Sequence, residues 1–166
     1  MAQPLSPETV AVAGYAAVFG QPDLTGDIIR PGAFQQSIKK MRKLIPAPSS
    51  RVMMLYQHAA DRPVGCWDEL KEDSHGLFVR GHLFADTRDG RDLVQLLCGR
   101  AVNGLSIGFR PRRARRGRDG RRELFDIDLW EISIVTFPMA PGARLTEIGS
   151  PSRKPRNLLH TTDRGQ

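Results

Sequence analysis

The sequence predicts a mainly β protein of the α+β class, in which an antiparallel barrel or sandwich carries two helices on its outside. Its 166 residues, 40% of them hydrophobic and 26% charged, suit a single globular domain. Six or seven short runs have the composition of strands, whereas two segments have that of helices. Because strands dominate and most connections are short, this architecture fits the chain better than a doubly wound sheet.

Apolar runs bounded by turn residues define the strands of the first half of the chain. Valine, alanine and aromatic residues are frequent in these runs, and glycine, proline or polar residues separate them. One segment differs, because Phe34, Ile38, Met41 and Ile45 recur at helical spacing and predict a helix over residues 33–44. The predicted strands cover residues 9–19, 26–30, 51–57, 64–70 and 77–84.

The second half begins with the other predicted helix. Thr87 can cap a helix that runs to about Gly99 and carries three leucines on its apolar side. Strands are then predicted over residues 104–113 and 123–137, joined by an arginine-rich turn. Pro138 ends the second of these strands, because proline cannot donate a backbone hydrogen bond.

The folded domain is predicted over residues 9–148. We expect residues 1–8 to be a flexible N-terminus and residues 149–166, which are polar, basic and poor in apolar groups, to be a disordered tail. The longest nearly apolar stretch, residues 10–19, is about half as long as a membrane span. No signal peptide is visible, and two cysteines cannot form a disulfide framework. These features predict a cytoplasmic protein that is not secreted and has no membrane partner.

The net charge of +7 is concentrated in one segment. Residues 110–122 contain eight arginines and one aspartate, so the rest of the chain sums to zero. A domain that binds nucleic acid usually spreads positive charge over a face, and no aromatic residues interleave with these arginines for base stacking. Because Arg118-Asp119-Gly120 favours a hairpin turn, we interpret the segment as a solvated hairpin tip, suited to contact an acidic partner.

The strand around Ser106 carries the first candidate for chemistry. Since a strand alternates its faces, Leu105 and Ile107 turn towards a core, and Ser106 lies on the opposite face between Gly104 and Gly108. The hydroxyl group then stands on a face without neighbouring side chains, which a substrate backbone can approach closely. The alternative interpretation is an ordinary glycine-containing strand with one small polar residue.

A serine needs a base to act as a nucleophile, and His58 is the best placed of the four histidines. It follows the apolar strand at residues 51–57 and opens a short loop, where a rigid element can support a reachable side chain. His160 lies in the predicted tail, His75 in a polar turn and His82 on a half-exposed strand face. A solvated loop histidine is the alternative interpretation of His58.

A third group usually holds a histidine base, and Glu131 is the first candidate. It interrupts an otherwise apolar strand, where alternation places Glu131 and Ser133 on one face and Trp130, Ile132 and Ile134 on the other. A carboxylate in the middle of such a strand is either exposed or paired. The strand pattern therefore permits a catalytic role for Glu131 without requiring it.

Other residues compete for this third position. Asp61 follows His58 by three residues and is a local rival. His82 and His75 are weaker rivals. The spacing alone leaves the third member open.

The sequence contains no motif that is typical of a cofactor-binding or metal-binding site. A phosphate-binding G-x-x-x-x-G-K-[ST] loop is absent, and the histidine and cysteine spacings do not fit zinc. Residues 86–97 resemble a calcium loop, but Arg88 occupies its third position and Leu97 its twelfth. We therefore expect an activity that uses no cofactor.

As a set, these motifs resemble the prohead proteases of tailed phages, the group named after phage HK97. The resemblance runs from about Gly14 to Arg144, most of the chain. Several motifs in the right order are more specific than any single one. The matching pieces are Gly14-Tyr15-Ala16 to Phe19-Gly20, Gly26-Asp27 with Pro31-Gly32-Ala33-Phe34, Gln57-His58 with Pro63-Val64-Gly65, Gly104-Leu105-Ser106-Ile107-Gly108-Phe109, and Trp130-Glu131-Ile132-Ser133 leading to Thr136-Phe137-Pro138.

The resemblance implies a serine endopeptidase whose β-barrel, flanked by helices, is related in fold to the herpesvirus assembly proteases. By motif match, Ser106 is the nucleophile, His58 the base and Glu131 the third member. The implied substrates are scaffold protein, or the scaffold-like segment of the capsid protein, and the protease itself. Cleavage would take place inside the assembling procapsid in the host cytoplasm, and the resemblance also allows a homodimer. Residues 141–145, with Arg144, are the candidate source of donors to an oxyanion.

Two hypotheses compete with this one. The first is a non-catalytic capsid-assembly or nucleic-acid-binding protein that uses the arginine hairpin at residues 110–122 and gives Ser106 and His58 no role. The second is an inactive member of the protease fold that is retained as a scaffold. We favour the protease over both, and we regard nucleic acid as the less favoured partner.

Overall fold

A computed structural model describes residues 7–44 and 52–153 of the chain. This part folds into eight strands and two helices, so the predicted mainly β class with few helices is confirmed. In chain order the elements are β1 (Glu8–Val18), β2 (Ile28–Ile29), α1 (Gln35–Leu44), β3 (Met53–Tyr56), β4 (Pro63–Glu72), β5 (Gly76–Phe84), α2 (Arg88–Cys98), β6 (Gly104–Arg116), β7 (Arg122–Val135) and β8 (Arg144–Arg153).

Seven strands of the described chain close into a barrel. They follow the order β7-β3-β4-β5-β1-β8-β6, and the pairing of β6 with β7 closes the ring. Each neighbouring pair in the ring is antiparallel except β3 and β7, which run parallel. The short strand β2 pairs with β7 outside the ring. Of the two predicted architectures the barrel is therefore the one observed, and the sandwich is not.

Apolar side chains from the barrel strands form the core. Trp67 on β4, Leu105 on β6, and Ile132 and Ile134 on β7 are fully buried. The indole Nε1 of Trp67 donates to the backbone oxygen of Ile132 at 3.2 Å, so β4 is tied to β7 through the interior. Burial of one such side chain is worth roughly 1.5–3 kcal/mol. Burial of these side chains holds β6 and β7 in place. It thereby also positions the residues on the face of each strand that points away from the core.

Both helices pack against the barrel. Helix α1 lies against β7, where the Ser37 hydroxyl donates to the backbone oxygen of Ile127 at 2.6 Å and accepts from the Leu129 amide at 3.0 Å. Helix α2 begins after Thr87, whose hydroxyl accepts from the Gly90 amide at 3.1 Å, as predicted for its cap. Neither helix in the described residues is long and apolar enough to span a bilayer.

Strand β8 was not expected from the sequence. The composition predicts a domain that ends at residue 148, whereas β8 extends to Arg153 and pairs with β1 along most of its length. Most of its side chains are exposed, so the strand lacks the apolar alternation by which strands are recognised. The rest of the predicted tail and residues 1–6 lie outside the described residues.

Strand β7 departs from regular alternation at Trp130. In its register with β6, Gly108 lies opposite Glu131 and Phe109 opposite Leu129, so Trp130 is an extra residue in a β-bulge. The prediction that Trp130 shares a strand face with Ile132 and Ile134 is therefore wrong: Trp130 is 54% exposed, whereas Leu129 and both isoleucines are buried.

Candidate active site

Three neighbouring strands bring the candidate residues to one face of the barrel wall. Strand β7 lies between β3 and β6. Ser106 on β6 lies opposite Ser133 on β7, and Gly108 lies opposite Glu131. Opposite residues project to the same side, as do residues two apart, so Ser106, Ser133 and Glu131 share a face. The other face of β7 carries Ile132 into the core.

His58 reaches this face from a turn directly after β3. Gln57 and His58 have φ angles of 56° and 59°, a left-handed backbone that is uncommon for residues other than glycine. The Gln57 amide donates to the backbone oxygen of Ile134 at 3.0 Å, and its side-chain Nε2 donates to the Thr136 hydroxyl at 2.6 Å. These two bonds hold the turn against the end of β7. Sequence reasoning did not identify Gln57 as an anchor of the site.

The imidazole of His58 contacts the carboxylate of Glu131. Nδ1 of His58 lies 2.8 Å from Oε1 of Glu131, and the Ser133 hydroxyl donates to Oε2 of the same carboxylate. Ser133 is fully buried, while the His58 side chain is 40% exposed and that of Glu131 15%. Both carboxylate oxygens are thus in use, and Nε2 is the ring nitrogen of His58 left to act on a hydroxyl.

Ser106 is itself almost inaccessible on β6, with 4% of its surface exposed. The expectation that Gly104 and Gly108 leave open space on either side of it is wrong. A β-carbon at position 108 would lie 2.5 Å from both Cγ and Oε1 of Glu131, and one at position 104 would lie 2.8 Å from Cδ of Pro138. The glycines therefore make room for Glu131 and Pro138 rather than for a substrate backbone.

The rival His82 belongs to a different cluster. Its Nδ1 lies 2.8 Å from Oδ2 of Asp68, and in the sheet it is opposite Cys66. Burial raises the pKa of the Cys66 thiol, and the charge of Asp68 raises it further. A reactive cysteine needs the opposite shift, so these surroundings disfavour a thiol nucleophile.

The other rivals also lie in different settings. His75 packs edge-on against Tyr15, with ring centroids 4.5 Å apart. The Tyr15 hydroxyl donates to Asp73 at 2.7 Å, and this bond raises the pKa of Tyr15 and lowers that of Asp73. Among the described residues the carboxylate bonded to His58 is Glu131, not Asp61. His160 lies outside the described residues.

An ion pair anchors the loop that follows His58. Arg62 donates to both carboxylate oxygens of Asp89 on α2, at 3.0 and 2.9 Å, and its guanidinium lies 4.7 Å from the ring centroid of Tyr56. The bidentate contact holds the pKa of the Asp89 carboxyl below its usual range. The loop is therefore fixed to the barrel at Gln57 and to α2 at Arg62.

The loop proposed to donate to an oxyanion lies beside the start of β6. The Leu105 amide donates to the backbone oxygen of Ala143 at 2.9 Å, one residue before Ser106. The Arg144 guanidinium is occupied by the backbone oxygen of Pro141 and by Oδ1 of Asn103, at 3.1 and 2.6 Å. These bonds give the loop a fixed position near Ser106.

The arginine segment forms the predicted hairpin between β6 and β7. The turn is closed by a bond from the Gly117 amide to the Arg121 oxygen at 2.8 Å, and Gly120 has a φ of 80°. Most of its arginines have partners in the chain. Arg112 pairs with Asp128, Arg121 with Asp119 and Arg122 with Asp27, while Arg113 and Arg115 lie over the ring of Phe125. Sequence reasoning missed Phe125, because it contacts the arginines from the facing strand.

In the described residues, no group of three histidine, cysteine or acidic side chains is placed to hold a metal ion.

Known proteins resemble this chain in sequence and in fold. Residues 3–154 match the family described as caudovirus prohead serine protease. Over 128 residues the chain is 37% identical to the prohead protease of Enterobacteria phage HK97, a match that covers 75% of this chain. It covers 54% of that relative, so the chain spans about half of the relative's length.

Solved structures of other viral proteases share the fold. The capsid assembly protease of bacteriophage T4 superposes with a TM-score of 0.59 at 9% identity, over 75% of this chain and 80% of that protein. KSHV protease, solved with a hexapeptide phosphonate inhibitor, gives a TM-score of 0.51 at 14% identity, over 86% of this chain and 65% of that one. Varicella-zoster virus protease gives 0.51 at 17% identity, with 85% and 64% coverage. By the family match over most of its length and the 37% identity to a member, the chain belongs to the caudovirus prohead serine protease family.

Proposed function

We propose that this protein is a serine endopeptidase of phage capsid maturation, with Ser106 as nucleophile, His58 as base and Glu131 as the group that orients the base. The observation that supports this most strongly is the 2.8 Å contact between Nδ1 of His58 and Oε1 of Glu131. It leaves Nε2 as the basic nitrogen, as the histidine–acid half of a serine-histidine-acid triad requires.

In the proposed first step, Ser106 Oγ attacks the scissile carbonyl while its proton passes to Nε2 of His58. A carbon–oxygen bond forms, the carbon–nitrogen bond then breaks, and the leaving amine takes the proton from Nε2. Glu131 stabilises the charged imidazole between these transfers. Water, deprotonated by Nε2 of His58, then attacks the ester carbon. The bond from that carbon to Ser106 Oγ breaks, the acyl half of the substrate leaves as a carboxylic acid, and the proton passes from Nε2 back to Oγ. Backbone N–H groups near residues 141–145 are the candidate donors to the oxyanion.

The proposed substrates are the scaffold and capsid proteins of the assembling prohead, together with the chain itself. The name of the HK97 relative, a prohead protease, supports this assignment. The proposed place of action is the interior of the procapsid in the host cytoplasm. We keep a homodimer as a hypothesis, which sedimentation velocity over a range of protein concentrations tests.

A fluorophosphonate probe tests the nucleophile. We expect the folded protein to gain one probe mass, and peptide mapping to place it on Ser106. Labelling should be lost in Ser106→Ala and strongly slowed in His58→Ala. No labelling of the folded wild type would contradict the proposal and favour an inactive member of the fold. Labelling of another residue would contradict the assignment of Ser106 as the nucleophile.

The alternative function, nucleic-acid binding through the arginine hairpin, has less support. Three of its arginines are bonded to carboxylates of the chain, which neutralises part of their charge. The alternative predicts DNA binding that weakens steeply with salt and is lost when the arginines at residues 112–118 are neutralised. Binding measured across a salt series distinguishes the two functions.

A further inference from the structure

A cavity opens beside Ser106 on the side of β6 that faces away from β7. Its volume is about 190 Å³. Ser106 is part of its wall, so a molecule in the cavity lies next to the proposed nucleophile. Apolar residues form most of the lining, among them Ala17, Ile29, Leu105, Ile107, Phe109 and Met139.

The cavity exists because β6 loses its partner on this side. Strand β8 pairs with β6 at Gly104 alone, opposite Arg144. Beyond that point no strand of the described chain pairs with this edge of β6. The end of β1 and the loop at residues 21–27 lie across the cavity from this edge. The loop is held by the Leu24 amide, which donates to the Met139 oxygen at 2.9 Å.

The two carboxylates on the cavity rim already have hydrogen-bond partners. Oδ1 of Asp23 accepts from the Thr25 amide, the Thr25 hydroxyl and the Asp27 amide, at 2.8, 2.7 and 2.9 Å. The buried carboxylate of Asp27 is held by both Nε and Nη2 of Arg122, the former at 2.8 Å. Because Arg122 offsets this charge, the cavity has no free buried carboxylate to attract a lysine or arginine side chain.

Size and surroundings favour a bulky apolar occupant. A dry cavity of about 150 Å³ accommodates a benzene ring, so one of about 190 Å³ suffices for a leucine, methionine or phenylalanine side chain. Met139, which lines the cavity, is 40% exposed, and Leu24, whose amide is bonded to the Met139 oxygen, is 71% exposed, so apolar surface continues from the cavity to the solvent. Exposed apolar residues around a concave site are typical of a ligand-binding surface.

We propose that this cavity is a specificity pocket that binds one large aliphatic or aromatic side chain of the peptide substrate near the scissile bond. The inference rests on the proposed protease function. It assigns the substrate a chemical class at one position: large and apolar, rather than small or basic.

Cleavage of a diverse peptide mixture, read by mass spectrometry, tests the pocket. We expect one position near the cleaved bond to be enriched in Leu, Met, Phe or Ile. Ala140→Leu adds a side chain to the half-buried lining and should reduce cleavage of such peptides by at least about tenfold. The matched control is Ala114→Leu, at an exposed alanine of the hairpin, where cleavage should stay within about twofold of wild type.

Fluorophosphonate labelling of Ser106, measured on the same three proteins, separates the two proposals. If labelling is normal but the cleaved peptides show no large apolar preference, or the preference persists in Ala140→Leu, the pocket assignment is wrong and the protease function stands. Normal labelling with no peptide cleaved also overturns the pocket. If neither labelling nor cleavage occurs in wild type, the proposed protease function is wrong, and the proposed specificity pocket is wrong as well.

Discussion

The carboxylate of Glu131 occupies the space that a side chain on Gly108 would fill. A β-carbon at position 108 would lie 2.5 Å from both Cγ and Oε1 of Glu131, and Oε1 is the atom that contacts His58. The two residues lie opposite each other on β6 and β7. Glycine at position 108 is therefore a condition for the contact between Glu131 and His58.

Gly108→Ala should impair catalysis more than folding. The added β-carbon displaces the Glu131 carboxylate, and a displacement of about 1 Å in a catalytic group can reduce the rate on the order of 100-fold. The rate of cleavage or of fluorophosphonate labelling measures the effect, and thermal unfolding checks stability. In a Glu131→Ala background the same substitution should cost little further activity. An equal loss of activity in the wild-type and Glu131→Ala backgrounds would show that the effect of Gly108→Ala does not depend on the Glu131 carboxylate.

Glu131→Gln should lose far more activity than Asp61→Asn. A neutral amide at position 131 cannot stabilise the charged His58 ring, and the corresponding change in a serine protease triad costs about 10⁴-fold. Asp61 is not bonded to His58, so its substitution should change the rate by less than about twofold. The reverse ranking would identify Asp61 as the orienting group.

Ser133→Ala should lower kcat and leave KM nearly unchanged. The Ser133 hydroxyl donates to Oε2 of Glu131 from a fully buried position, so its role is to position the carboxylate. A hydrogen bond to a charged group is worth about 1.5–3 kcal/mol, which corresponds to roughly 10- to 100-fold in rate if all of it is expressed in catalysis. Steady-state kinetics separates kcat from KM, and an increase in KM alone would argue for a role in binding instead.

The ion pair of Arg62 and Asp89 should make stability depend on acid pH. Arg62 holds the pKa of Asp89 below its ordinary value of about 3.9, so the pair stabilises the fold fully above about pH 4 and less as the pH falls through the lower folded value. Asp89→Asn should therefore unfold at a lower urea concentration than wild type near neutral pH. The difference between the two unfolding midpoints should become smaller towards about pH 3. Asp92→Asn, at an exposed position on the same helix, is the control. A difference in midpoint that stays constant with pH would show that the Arg62–Asp89 ion pair is not its cause.

Most strands and both helices could be predicted because their apolar residues follow regular periods, whereas the choice of a barrel over a sandwich came from the family resemblance. The bulge in β7 and strand β8 could not be predicted, because neither follows a regular alternation of apolar and polar residues. The extra residue at Trp130 reverses the alternation within β7, and nothing in the local sequence marks such a bulge. Strand β8 exposes most of its side chains, so its sequence is that of a polar tail.

The sequence proposed the residues of the candidate site but not their geometry. Alternation placed Glu131 and Ser133 on one face, and the structure puts Ser106 opposite Ser133 on that face. The residues alone did not choose between Glu131 and Asp61 as partner of His58, because that choice depends on the register of β7 against β3 and β6. The family resemblance supplied Glu131, and the structure brings it into contact with His58.

Intact-mass analysis of wild type and Ser106→Ala is the first measurement to make, because it shows whether the chain cleaves itself through Ser106. Both proteins are purified and incubated at high concentration and neutral pH, and their masses are followed with time. The account predicts that wild type shortens at defined sites while Ser106→Ala stays whole. If both proteins shorten alike, the cleavage does not depend on Ser106, and the assignment of the nucleophile is contradicted.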